Sequence, residues 1–222
     1  MSLAKSLTIA TVVLLSITRS ALAGKHDEDQ LVVTTMKRAA AKDVKGLIEL
    51  QGQAISSPAD RYAYHLARYV ADPKGYGAIF VSEFPASSSG VMGYVYKLEL
   101  ARGDDGSRLT PTFLYAFDQL GNLAISGNPE AVEKLFMVTN YSDGVVTEFV
   151  CEKVAQVIAR DVTLALDKLS KLNIFQRQRV YKCFGASSAN EISSRRQAMV
   201  KQQQGKYSNI VQEVIGALDS AY

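Results

Sequence analysis

Hydrophobic residues recur every three or four positions along most of the chain, which is the spacing of one face of an α-helix. The final segment shows this most clearly, and its apolar face consists of Tyr207, Ile210, Val211, Val214, Ile215, Leu218 and Tyr222. Similar stripes occur throughout residues 28–184, separated by short polar stretches. The pattern predicts about ten helices of roughly 10–17 residues joined by short turns.

Several of these stripes begin with residues that favour the first turn of a helix. Asp43 precedes one stripe, while Ser57-Pro58, Asp72-Pro73 and Asn128-Pro129 each place a polar side chain directly before a proline. A Ser, Asp or Asn at the N-cap accepts hydrogen bonds from free backbone N–H groups, and proline suits the first helical position. These residues therefore predict where four helices begin.

The stretch 91–126 fits two patterns. Met92, Tyr94, Tyr96, Leu98 and Leu100 alternate with other residues as in a β-strand, and GDDG at 103–106 would suit a hairpin turn. Helical spacing fits the same stretch, and a Thr-Pro pair at 110–111 resembles a helix start. We favour two helices here. The predicted fold class is all-α, an irregular multi-helix or α-solenoid-like array, and the alternative is an α+β fold with a hairpin at about 91–117.

One part of the chain resembles HEAT and armadillo repeats. The string FLYAFDQLGNLAISGNPEAVEKLF combines an apolar helix rich in small residues, a Gly-Asn-Pro turn and a second apolar helix, and residues 110–172 carry the likeness. Helical repeats of this kind commonly act as binding scaffolds, so the resemblance implies a protein-binding function.

The first 23 residues have the pattern of a secretory signal peptide. Lys5 supplies the positive charge, an apolar run of 11 residues follows from Leu7 to Ile17, and Ala21-Leu22-Ala23 forms the small-residue cleavage site. We predict cleavage after Ala23 and export to the periplasm or the extracellular space. Residues 24–222 would then form a single helical domain.

Charge is distributed unevenly along the predicted mature chain. It contains 23 basic and 22 acidic residues in total, yet residues 175–206 alone carry seven basic side chains and one acidic one. We therefore predict a basic arm or loosely packed segment at 186–206, with Arg195, Arg196 and Lys201 as candidate binding residues. Such an arm could dock on the rest of the protein, an acidic partner or an anionic membrane surface. Nucleic acid is not an expected partner, because the net charge is small and export removes the usual target.

The two cysteines, Cys151 and Cys183, are predicted to form a disulfide, because an exported chain meets an oxidising compartment. Two buried thiols are the alternative. The chain has no C-x-x-C motif and no His near either cysteine, so neither redox nor nucleophilic chemistry is expected.

His65 is the one histidine that could act as an acid or a base. On a helix it would share one face with Arg61, Arg68 and Tyr69, and that face could bind an anion. The other histidine belongs to the HDED run at 26–29, which is interpreted as a solvated tail. We predict no metal site and no cofactor.

These patterns favour an exported, non-enzymatic helical scaffold that binds another protein, such as a periplasmic inhibitor, an immunity protein or an envelope adaptor. An envelope hydrolase that uses His65 or a carboxylate pair is the first alternative. A peripheral protein of the membrane surface is the second.

Overall fold

A computed structural model describes residues 31–55, 58–87, 89–91, 93, 113–142, 144–185, 189–202 and 205–219. Over these residues the protein is built of helices and contains no strand. The all-α prediction is therefore confirmed. The hairpin alternative required residues 113–117 as part of its second strand, and these residues lie in a helix instead. Residues 92 and 94–112 of that predicted hairpin, and the predicted signal peptide, lie outside the described residues.

Twelve helices follow one another along the described ranges. The first group comprises α1 (31–40), α2 (Val44–Ala54), α3 (Pro58–Ala71), α4 (Pro73–Glu83) and the short α5 (89–91 and 93). The second group comprises α6 (Phe113–Ile125), α7 (Pro129–Val138), α8 (Gly144–Arg160) and α9 (Val162–Leu169). The last group comprises α10 (Ile174–Lys182), a 3₁₀ turn (Cys183–Gly185), α11 (Ala189–Val200) and α12 (Ser208–Asp219).

Polar caps fix the beginnings of several helices. The Asp43 side chain accepts from the Gly46 backbone N–H at α2, and Asp72 does the same for Gly75 at α4. Asn128 accepts two backbone N–H groups at the start of α7. These three caps confirm the predicted start signals. The Ser57-Pro58 signal agrees with the structure in that α3 begins at Pro58.

The helices pack both on sequence neighbours and on more distant helices. α3 packs on α4, α6 packs on α7 and α8, and α7 also contacts α4 and α9. The Phe84 and Phe117 rings meet edge to face, with 5.4 Å between their centroids, so the end of α4 is joined to α6. α6 and α8 approach closely at Gly121, where an added Cβ would lie 2.6 Å from Cγ of Lys153.

A covalent link joins α8 to the turn that follows α10. The sulfur atoms of Cys151 and Cys183 are paired, and their Cα atoms lie 4.4 Å apart, within the range of disulfides. The structure therefore places the predicted pair at disulfide distance. The link positions the C-terminal helices against the body of the protein.

Candidate functional site

His65 lies in the contact between α3 and α4. The residue is 8% exposed, and its ring Nδ1 lies 2.9 Å from the hydroxyl oxygen of Tyr76. Burial lowers the pKa of His65 below 6.5, and the positive charges of Arg61 and Arg68 act in the same direction, while Glu83 acts against them. The imidazole is therefore neutral at neutral pH.

Glu83 faces two of the groups predicted to form a site. Its Oε2 lies 3.4 Å from Nε of Arg61 and 3.8 Å from Nε2 of His65. Lys134 of α7 reaches the same end of α4, where its Nζ donates to two backbone carbonyl oxygens, each at 3.0 Å. A cation at the C-terminal end of a helix satisfies carbonyl groups that have no partner within the helix.

The remaining residues of the predicted anion-binding face also have intramolecular contacts. Arg68 lies 4.4 Å from the centroid of the Tyr76 ring and donates a 3.0 Å hydrogen bond to the Tyr64 hydroxyl. Tyr69 stacks on Phe80, with 4.6 Å between the ring centroids. All four predicted residues therefore contact side chains of α3 or α4.

An imidazole, a phenol and a carboxylate thus meet between α3 and α4, and such groups are used in acid–base catalysis. Burial raises the pKa of Tyr76, so its hydroxyl stays protonated at neutral pH. Tyr76 and Glu83 face the two nitrogens of the imidazole of His65. The arrangement holds two helices together with polar groups that satisfy one another.

The predicted basic segment forms a packed helix within its described part. α11 lies along α12, with Met199 fully buried. Arg195 is 8% exposed and donates to the Phe184 carbonyl at 3.2 Å, while Arg196 is paired with Asp219 at 2.7 Å. Of the three predicted binding residues here, Lys201 is the one whose side chain is exposed and has no ion-pair partner in the described part of the chain.

The sequence patterns did not predict the outer face of α10, which consists of Phe175, Gln178, Arg179 and Lys182. Phe175 is 77% exposed, and the neighbouring Ile174 is 39% exposed. The other three residues are exposed as well. Aromatic residues and Arg are enriched at protein interfaces, whereas Lys is depleted there.

The opposite face of α10 is held tightly by α12. Arg177 donates from Nε and from one terminal nitrogen to the two carboxylate oxygens of Glu213, both at 2.8 Å. The Tyr181 hydroxyl donates to the same carboxylate at 2.8 Å. The hydrogen bonds from Arg177 hold the pKa of Glu213 below its usual value, and the hydrogen bond from Tyr181 acts in the same direction. Val180 is fully buried on this side.

The start of α10 is fixed without any contribution from Phe175. Asn173 accepts from the Gln176 backbone N–H, and the Gln176 side chain accepts from the Asn173 backbone N–H, each at 3.0 Å. This capping box satisfies two free donors at the end of the helix. Neither the cap nor the core therefore accounts for an aromatic residue at 175.

A helical projection shows how this face differs from the predicted pattern. The apolar positions Phe175, Val180, Tyr181 and Phe184 indicate a single helix in the sequence. At 100° per residue, however, Phe175 lies about 160° around the helix from Arg177, which faces Glu213. The projection alone separates Phe175 from the inner face, but it does not say which side is buried.

Two further expectations concern metals and membranes. In the ranges that the structure describes, no group of three His, Cys, Asp or Glu side chains is placed to hold a metal ion. No helix in those ranges is long and apolar enough to cross a membrane. The HDED run at 26–29 lies outside them.

The fold and these surfaces define a small all-helical protein with a disulfide and an exposed aromatic helix face. No protein family, no curated protein and no solved structure matches the chain. The resemblance of residues 110–172 to HEAT and armadillo repeats therefore stays a prediction.

Proposed function

We propose that the chain is an exported, non-enzymatic helical scaffold that binds another protein through the outer face of α10. The observation that carries the proposal is the position of Phe175, which is 77% exposed. The opposite side of the same helix is hydrogen-bonded to α12 through Arg177 and Tyr181. Burying a large apolar side chain on binding contributes about 1.5–3 kcal/mol. An exposed Phe is therefore a better indication of a binding surface than an exposed Lys or Glu.

The way α10 is held supports the same proposal. The disulfide at Cys183 joins the end of α10 to α8, and the hydrogen bonds to Glu213 join its inner face to α12. A helix fixed in this way loses little conformational freedom when a partner binds. Pre-organisation of this kind favours recognition by a rigid surface.

The hydrolase alternative has weaker support. Both ring nitrogens of His65 face partners on α4, namely Tyr76 and Glu83, and the imidazole is buried with them. A general base must instead reach a proton on a bound substrate. The described contacts of this cluster favour a structural role.

Site-specific photo-crosslinking tests the proposal in cells that produce the protein. A photoreactive phenylalanine analogue replaces Phe175 in one variant and Ile79 in a matched control, because Ile79 is also an exposed apolar residue, at 44% exposure. We expect a discrete crosslinked protein from position 175 and none of that mass from position 79. Identical patterns from the two positions would overturn the proposal.

Export is tested separately by the mass of the protein recovered from the same cells. Cleavage after Ala23 predicts a mature chain that begins at Gly24. A chain that keeps residues 1–23 would contradict export by a cleaved signal peptide.

A further inference from the structure

The chain around α10 is depleted of negative charge. No Asp or Glu occurs between Asp167 and Glu191, whereas Lys168, Lys171, Arg177, Arg179 and Lys182 all fall in that interval. A segment of this composition repels cations and attracts carboxylates, unless distant residues of the same chain neutralise it.

Residues distant in the sequence neutralise only part of this positive charge. Lys168 is paired with Glu133 at 3.1 Å, and Arg177 is paired with Glu213 at 2.8 Å. Lys171 lies 3.6 Å from Asp167. Each of these three cations therefore has a carboxylate of the same molecule nearby.

Arg179 and Lys182 differ from the other three cations. Both are exposed, and neither forms a hydrogen bond, an ion pair or a ring contact with any residue that the structure describes. They project from the same side of α10 as Phe175, four and seven residues further along the chain. This i, i+4, i+7 spacing extends for about 10 Å along the helix axis and forms one continuous surface.

From this arrangement we propose that the partner bound by the outer face of α10 is an acidic protein surface. It carries an apolar recess for Phe175 and carboxylates beside the recess, which face Arg179 and Lys182. This inference rests on the proposed function and names the chemistry of its partner. Two exposed cations that pair with none of the described residues, beside one exposed ring, are complementary to such a surface. Opposite charges at the edge of an interface speed association and select the partner.

An anionic membrane would offer the same charge but fits the apolar residues less well. Helices that lie in a membrane surface insert a whole apolar face among the lipids. In α10, Val180 and Tyr181 face the protein core, so Phe175 and Ile174 are the apolar residues left outside. A single projecting ring suits a recess in a protein better than a lipid layer.

Peptide selection tests the inference directly. A library of random peptides displayed on phage is panned on the full chain. We expect the selected peptides to contain at least two Asp or Glu residues and one apolar or aromatic residue. Binding of a selected peptide, labelled with a fluorophore, is then measured for the wild type, for Arg179→Glu with Lys182→Glu, and for a control with the same net charge.

The control is Lys45→Glu with Lys74→Glu, which reverses two exposed cations on α2 and α4. Reversal at Arg179 and Lys182 turns two attractions into repulsions, so we expect it to weaken binding by about tenfold or more, and the control by about twofold or less. The wild-type affinity should also fall as salt is added. Selected peptides without acidic enrichment, or equal losses in the two variants, would overturn the inference.

Binding to lipid vesicles tests whether the partner is a membrane instead of a protein. The wild type and the Arg179→Glu, Lys182→Glu variant are floated with vesicles of phosphatidylcholine alone or with phosphatidylglycerol. Flotation of the wild type with anionic vesicles, lost in the variant, would overturn the inference in favour of a membrane. Crosslinking from position 175 with unchanged affinity after charge reversal would refute the acidic partner and leave the proposed function intact. No crosslinking from position 175 would refute the proposed function itself.

Discussion

The imidazole of His65 is buried against Tyr76 and is uncharged at neutral pH. The two side chains lie 2.9 Å apart between α3 and α4, and burial lowers the pKa of His65 below 6.5. In the unfolded chain the same imidazole takes up a proton near pH 6.5. Acidification therefore favours the unfolded state, because that state binds the proton more readily.

We accordingly predict that stability falls as the pH is lowered from 7.5 to 5.5. The folded pKa of His65 is depressed, so the loss begins near pH 6.5 and ends below the folded pKa. His65→Asn retains a polar group near the position of Nδ1 and does not titrate. Urea unfolding across this pH range should show a smaller slope for His65→Asn than for the wild type. Parallel slopes would contradict the assignment.

At the scale of elements, the attachment of α10 to α12 depends on one carboxylate. Glu213 accepts hydrogen bonds from Arg177 and Tyr181, and these bonds lower its pKa. The stabilisation is fully present above pH 4.5, the ordinary value for this group, and it is lost as the pH falls through the lower folded pKa. The contact thus resists mild acid.

Glu213→Gln should cost about 1.5–3 kcal/mol of unfolding free energy, since it weakens hydrogen bonds to a charged group. The variant should also lose part of the stability change of the wild type below pH 4.5. The control is Glu148→Gln on the exposed side of α8, for which we expect a change of less than about 0.5 kcal/mol. Equal effects of the two substitutions in denaturant titrations would exclude a special role for Glu213.

The disulfide is a second attachment of α10, because it joins the end of this helix to α8. Cys151 and Cys183 are 32 residues apart in the sequence, and closing a loop of this length stabilises a folded protein by about 3–4 kcal/mol in the chain-entropy account. The Cys151→Ala, Cys183→Ala variant should therefore unfold at lower urea concentration, as should the wild type in reductant. Reductant without effect on the midpoint of the wild type would show that the bond does not form in solution.

The elements differ in how well the sequence predicts them. Local signals sufficed for the caps at Asp43, Asp72 and Asn128, because each accepts hydrogen bonds from backbone groups two or three residues away. The pairing of Arg177 with Glu213 joins residues 36 positions apart. No local pattern encodes such a contact, since it depends on how α12 packs against α10.

The contacts of the candidate site could not be predicted for the same reason: they join residues of different helices. Periodicity placed Arg61, His65, Arg68 and Tyr69 together on α3, but it gave no information about α4, whose Glu83, Tyr76 and Phe80 contact them. Phe175 presents the opposite case. It belongs to an apolar segment in the sequence, and only the packing of the inner face of α10 leaves it outside.

At the scale of the whole molecule, the acidic residues of α12 neutralise much of the basic C-terminal region. Arg177 is paired with Glu213, and Arg196 is paired with Asp219. The uneven charge along the sequence therefore becomes more even in three dimensions, while Arg179, Lys182, Lys201 and Lys206 are exposed and have no ion-pair partner among the described residues. Two of these four, Arg179 and Lys182, lie on the same side of α10 as Phe175, so positive charge is available beside the exposed ring.

The central claim is that Phe175 is an anchor for a protein partner. The most direct measurement is the equilibrium affinity of the partner identified by crosslinking for the wild type, Phe175→Ala and Ile79→Ala, by titration calorimetry. Removing a buried anchor costs about 2 kcal/mol or more, so Phe175→Ala should weaken binding by about thirtyfold. Ile79→Ala should change it by about twofold or less. Equal affinities of the wild type and Phe175→Ala, with both proteins folded, would contradict the account.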